Sequence, residues 1–160
     1  MGIDILSCSE AVYELLRKNN IEVKELKGKD LPVSNLKVIK NETEVEGLRQ
    51  AYFRESAALV SVYANIKKTI ETQGRFEEYK GEQMLHEARG RYSEERYLGP
   101  SFPAIVGAGP NGAIVHYRPT EEFHSVSDSL STPILIDTGG HYLDGTTDTT
   151  RTLSFDTGHG

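Results

Sequence analysis

The sequence predicts an α+β fold. Apolar residues recur at three- and four-residue steps through most of the first 99 positions, whereas from Pro100 onward the period shortens to two and turn residues multiply. The two patterns run in blocks, helices first and strands afterwards, instead of alternating as in a βαβ chain. A chain of 160 residues, with 37% apolar and 26% charged side chains, is long enough for about one globular domain with a modest core.

Residues 8–18 (CSEAVYELLRK) predict a short helix, with Ser9 as its cap and Val12, Leu15 and Leu16 on one face. Ile21 to Leu26 alternates as a strand does. Residues 27–36, with Gly28, Pro32 and scattered charges, read as a connection between two units. The strongest helical pattern starts at Asn41, an N-cap followed three residues later by Glu44. Val45, Leu48, Tyr52, Leu59, Tyr63, Ile66 and Ile70 then form one stripe, broken at Glu55–Ser56, until Gly74 stops it. A second helix is expected over 81–96, with Met84, Leu85, Ala88 and Tyr92 inward. The strand candidates are Ser101–Val106, Ala113–Tyr117, Pro133–Thr138 and Thr149–Phe155, with a polar loop at 119–132.

Composition excludes several functions. No apolar run reaches membrane-spanning length, and Met1-Gly2-Ile3-Asp4-Ile5-Leu6 lacks the features of a signal peptide. The single cysteine, Cys8, forms no internal disulfide and suits a reducing, cytoplasmic setting, in which the sequon Asn41-Glu42-Thr43 is irrelevant. Net charge is −6, and residues 101–160 hold only Arg118 and Arg151 against seven acids. A nucleic-acid binder shows a basic face, so that partner is excluded, as is a membrane. The acidic segment suits a cation or plain solvent.

Gly107-Ala108-Gly109-Pro110-Asn111-Gly112 fits the G-x-G-x-x-G spacing. A dinucleotide site needs a helix N-terminus next, and Ala113–Tyr117 reads as a strand, so the segment is expected to be a glycine-rich turn between antiparallel strands. Leu135-Ile136-Asp137-Thr138-Gly139-Gly140 has the Asp-Thr-Gly of aspartic proteases, which as a homodimer would share one proton between two Asp, but the acids and threonines that follow it would then have no role.

The most specific segment runs from Asp137 to Thr152. A hairpin reversing near Tyr142–Leu143 would set Asp137 opposite Asp148 with Cβ atoms about 5 Å apart. Two carboxylates that close repel unless a proton or cation lies between them. Hard oxygen ligands suit Mn, Mg or Ca, and a bridging pair suits two ions about 3.5–4 Å apart. Asp144-Gly145 is itself a good two-residue turn, and that register would set Asp137 opposite Thr152 and separate the acids. Spacing leaves both registers open.

From about residue 36 the chain resembles the pita-bread metallopeptidases, the X-Pro aminopeptidase (aminopeptidase P) and prolidase group. Val38–Glu46 resembles the opening of the catalytic domain. Ser101–Val106 and Gly109–Tyr117 resemble its substrate-site strands. Leu135–Gly140 and Asp144–Thr152 match its first metal-ligand region, and Asp144-Gly145-Thr146-Thr147-Asp148 is similar to the cytosolic X-Pro aminopeptidases. The resemblance implies a preceding-domain tail and linker over 1–35, and the N-terminal half of the catalytic domain over 36–160, with long helices packed on an antiparallel sheet. It implies Asp137 and Asp148 as metal ligands, Asp148 bridging two divalent ions (most often Mn, with Zn or Co as alternatives). It also implies His116 as the histidine that meets substrate, Asp144 as a turn residue and Thr150 as a partner of the ligands. The implied reaction removes the N-terminal residue from peptides with proline second, by attack of a hydroxide held between the metals. Prolidase (X-Pro dipeptidase) and a non-catalytic peptide-binding module of the same fold are the alternatives. Thr157-Gly158-His159-Gly160 resembles the stretch around the family's ligand histidine but comes too early in the chain, and the family's two Glu ligands have no counterpart. The fragment is therefore expected to be inactive by itself and to expose an apolar face, covered by a second copy or by the other half of the same protein.

Overall fold

A computed structural model of the chain describes residues 2–4 and 6–156. The chain divides into two compact units, Met1–Asn41 and Glu42–Gly160. In the first, strands β1 (Gly2–Asp4) and β2 (Lys24–Leu26) pair in parallel. Helix α1 (Glu10–Lys18) lies between them in sequence and α2 (Pro32–Val38) follows. The expected connection over 27–36 is therefore part helix: Pro32 presets the backbone angle for a first turn and lacks only an N–H that would have no partner there.

The second unit is built on α3 (Glu42–Gln73) and α4 (Lys80–Ser93), with β3 (Phe76–Glu77) between them. Gly74, at φ +74°, takes the left-handed conformation that stops α3. Ala58, Leu59, Val62, Tyr63, Ile66 and Ile70 of α3 and Leu85 and Ala88 of α4 form the core with Val106, Ala108, Ile134 and Ile136 from the sheet. The inward face of α4 continues through Arg89, so Tyr92, expected inside, is 47% exposed. The interruption in the α3 stripe is Glu55, itself 1% exposed.

Strands β5 (Ile105–Ala108), β7 (Ile134–Thr138) and β10 (Thr149–Leu153) form an antiparallel sheet in the order β10-β7-β5, and β4 (Tyr97–Pro100), β8 (Gly140–Tyr142) and β9 (Gly145–Thr146) form another in the order β4-β8-β9. A short strand β6 (Val126–Ser127) pairs with β3. The two sheets share one long hairpin. Its arms are β7–β8 and β9–β10, its register is constant from Tyr142↔Gly145 to Leu153↔Ile134, and its two-residue tip is Leu143-Asp144. Along β7, Ile134, Ile136 and Thr138 are buried against the helices, while Leu135 and Asp137 lie half-buried on the outer face.

The segment Ala113–Tyr117 is not a strand. Gly109–Ala113 is a short 3-10 helix, with Pro110 in its first turn, and the chain then turns through Tyr117. The glycine-rich segment accordingly folds back over the sheet instead of joining two antiparallel strands. Among the described residues no helix is long and apolar enough to cross a membrane.

Candidate metal centre

The hairpin register decides the geometry of the two aspartates. Asp137 pairs with Thr150 on one side and with Ile105 on the other. Asp148 immediately precedes β10, two residues from Thr150, and thus stands one diagonal step from Asp137 across the strand pair. Diagonal neighbours of this kind lie about 7–8 Å apart between Cα atoms, with long or polar side chains able to meet. The directly opposed register, Asp137 to Asp148, does not form, and neither does the Asp144-Gly145 turn that would set Asp137 against Thr152. The intermediate register is the one adopted.

Long-range contacts hold it there. The tip carboxylate of Asp144 is gripped by Arg54 from α3, and Arg96 Nη1 approaches its other oxygen at 3.4 Å. The Asp144 carbonyl packs so closely on α3 that any side chain at Gly47 would overlap it. Lower in the hairpin, Gly139 has no room for a Cβ between the Thr147 carbonyl and Ser101 Oγ. Thr147 is fully buried, and its hydroxyl accepts from Gly140 N at 2.9 Å in place of a regular ladder bond.

Each aspartate has its own support. Thr150 Oγ1 donates to Asp137 Oδ1 at 2.6 Å, and among the described residues Oδ2 accepts no hydrogen bond. The Tyr52 hydroxyl of α3 brackets the backbone of Asp148, donating to its carbonyl at 3.2 Å and accepting from its N–H at 3.3 Å. Asp148 is exposed, and among the described residues its carboxylate accepts no hydrogen bond. Two such carboxylates are hard, anionic oxygen donors and fit a divalent cation of the Mn or Mg type. Among the described residues no three His, Cys, Asp or Glu side chains cluster as a complete ligand set. Thr157–Gly160 lies outside the described residues.

Beneath Asp137, Arg89 (2% exposed) forms a bidentate pair with Glu55: Nε to Oε2 at 2.9 Å and Nη2 to Oε1 at 2.6 Å. The same Nη2 donates to Thr138 Oγ1 at 2.7 Å, and Tyr142 OH donates to Glu55 Oε2 at 2.8 Å. Burial works against the Arg89 charge, but the hydrogen bonds and charge of Glu55 outweigh it and raise the guanidinium pKa. Burial, followed by the Glu55 hydrogen bond and charge, raises the Tyr142 phenol. Pattern reading missed this network, because a charge at an inward position looks like a break in an apolar stripe. The signal was present as two such breaks, Glu55 and Arg89, on adjacent helices.

His116 is an exposed turn residue at φ +59°, beyond the end of β5 that is remote from Asp137. The 3-10 turn that leads into its loop lies against β7, where a Cβ added at Gly112 would come within 3.4 Å of Leu135 Cβ. The register thus sets the two aspartates one diagonal step apart, while His116 stands in the loop after the 3-10 turn, with no hydrogen bond to either aspartate among the described residues.

Comparison with known proteins gives the arrangement its context. Residues 46–159 match the family model described as metallopeptidase family M24. A probable Xaa-Pro aminopeptidase P of Arthroderma otae is 42% identical over 125 residues, covering 78% of this chain and 20% of the relative. The probable Xaa-Pro aminopeptidase P of Laccaria bicolor is 38% identical over 149 residues, or 93% of this chain and 22% of the relative. Among solved structures, the X-prolyl aminopeptidase of Caenorhabditis elegans, a cytosolic enzyme with a di-nuclear active site, superposes with a TM-score of 0.72 at 29% identity, over 89% of this chain and 22% of that one. The chain spans about a fifth of the length of the curated relatives it matches.

Proposed function

The chain belongs to metallopeptidase family M24 and takes the α+β pita-bread fold of its solved relatives over part of that domain; from this premise we propose that it is a portion of an X-Pro aminopeptidase, a hydrolase that releases the N-terminal residue from peptides with proline second. We assign its first 35 residues to the tail of a preceding domain plus linker, and the remainder to the N-terminal half of the catalytic domain.

The observation that carries the reading is the placement of Asp137, on β7, and Asp148, immediately before β10, one diagonal step apart. Asp137 would hold one divalent cation and Asp148 would reach both members of a pair, with Mn the best match to the hardness of the donors. Divalent ions bound there supply Lewis acidity, polarising a carbonyl and lowering the pKa of water. The chain's own residues do the rest. Thr150 and Tyr52 orient the two ligands, and the Glu55–Arg89–Thr138 network stiffens the strand beneath Asp137. His116 donates a hydrogen bond to the substrate oxygen on which charge develops. We place the protein in the cytoplasm, as its Caenorhabditis elegans relative is.

The test compares an X-Pro-X tripeptide with an X-Pro dipeptide, with and without chelator and added Mn, using the protein at the length of its relatives. Release of the first residue from the tripeptide, abolished by chelator and restored by Mn, is expected. Turnover of the dipeptide alone would make the protein a prolidase, and chelator-insensitive turnover would refute the reading. The 160-residue chain, contributing two carboxylates, should bind Mn only weakly, with a Kd on the order of 0.1–1 mM as in loosely built oxygen-ligand sites, and should hydrolyse neither peptide. D137N or D148N should remove the Mn binding, measured by paramagnetic broadening.

A further inference from the structure

The interior of the second unit holds a second carboxylate that the metal centre does not use. Glu78, between β3 and α4, is fully buried. No Lys or Arg neutralises it among its described partners; instead it accepts hydrogen bonds from three separate segments. Ala108 N, at the end of β5, donates to Oε1 at 2.5 Å. Asn111 Nδ2, in the 3-10 turn, lies 3.2 Å from both oxygens. Tyr117 OH and Ser125 N each donate to Oε2 at 2.7 Å. A buried carboxylate survives without a cation only when donors converge on it in this way.

These donors bracket the loop that carries His116. Tyr117 is the next residue, and Asn111 Nδ2 also lies 2.9 Å from the Tyr117 hydroxyl. Within the loop, Ile114 N donates to Asn111 O at 3.1 Å and Tyr117 N to Ile114 O at 3.2 Å. His116 holds φ +59°, a left-handed conformation that a residue with a Cβ adopts at some cost and keeps only when its surroundings impose it.

We propose that Glu78 is a positioning residue whose buried carboxylate, acting through the Tyr117 hydroxyl and Asn111, fixes the turn that presents His116 to substrate. Burial, then the hydrogen bond and charge of Glu78, push the Tyr117 phenol up to about 12, so the link stays protonated at any working pH. The inference rests on the reading of His116 given above, but its test does not use hydrolysis.

The test is nuclear magnetic resonance of the 160-residue chain and its Y117F and E78Q variants, following the His116 imidazole Cε1–Hε1 signal and amide exchange. Y117F removes one oxygen; E78Q keeps the shape and replaces an acceptor with a donor. In both variants the His116 signal should move to the position of a free histidine, and exchange at Ile114 and Tyr117 should speed at least tenfold. Exchange across Ile134–Thr138 should stay within twofold of the parent. An unmoved His116 signal in folded Y117F overturns the proposal, as does loss of protection in the sheet together with the loop, which would mean a merely structural role. If E78Q fails to fold, Y117F alone decides. Should the signals move as expected while H116A, made separately in the protein at the length of its relatives, leaves peptide hydrolysis intact, the role given to His116 fails and the anchoring by Glu78 stands.

Discussion

Replacing Arg89 by Met tests the buried network under the candidate metal centre directly. The substitution fills similar space and removes the guanidinium, and with it both short bonds to Glu55 and the bond to Thr138. Glu55, 1% exposed, keeps only the Tyr142 hydroxyl and becomes a buried charge without a counter-ion. Breaking such a pair from one side costs about 3–5 kcal/mol, a large part of a typical domain stability of about 5–15 kcal/mol. In urea, with m near 2 kcal/mol/M, the midpoint should fall by about 2 M. The double variant E55L/R89M removes both charges and orphans only the hydroxyls of Thr138 and Tyr142, at about 1–3 kcal/mol each when unsatisfied. Those hydroxyls can turn toward other acceptors, so the double variant should recover at least about 2 kcal/mol of the single variant's loss. A cost below about 1 kcal/mol for R89M, or a double variant no more stable than R89M, would refute the view that an uncompensated charge is what the pairing prevents.

Three further outcomes are expected. G139A has no space between Thr147 and Ser101 and should destabilise the chain by about 3 kcal/mol or more by forcing the hairpin arms apart, read from the urea midpoint. Y52F should leave α3 intact but free the backbone of Asp148, weakening Mn binding about tenfold, as loss of a ligand's supporting contact does. Burial of Tyr63, only partly opposed by hydrogen bonding and by Arg151, raises its phenol from 10.0 to about 12. The unfolded chain therefore loses this proton before the folded one does. The contribution is complete below pH 10 and disappears as pH rises toward 12, amounting to roughly 2–3 kcal/mol for two pKa units. Y63F should be measurably less sensitive to pH across that window.

Local pattern was enough for the order of helices and strands, for α3 from its cap region to Gly74, and for the Asp137–Thr152 segment as the chemically distinctive part of the chain. It carried that far because apolar periodicity records which face of an element is buried, and because hairpin carboxylates are few enough to stand out. Periodicity does not record what lies against that face. The break at Glu55 therefore had no visible cause, and Glu78 and Arg89 went unread, until the fold brought their partners from 30 or more residues away. The strand expected over Ala113–Tyr117 failed for the same reason, since its alternation was overruled by Asn111 and Tyr117 reaching a buried carboxylate. Register was the last thing left undetermined. Two turns were locally acceptable and neither formed. The grip of Arg54 and Arg96 on Asp144, and the close seat of the hairpin tip at Gly47, selected a third. A one-residue shift in a hairpin costs little locally but changes every long-range contact, so only the packed structure could decide how the two aspartates stand to each other.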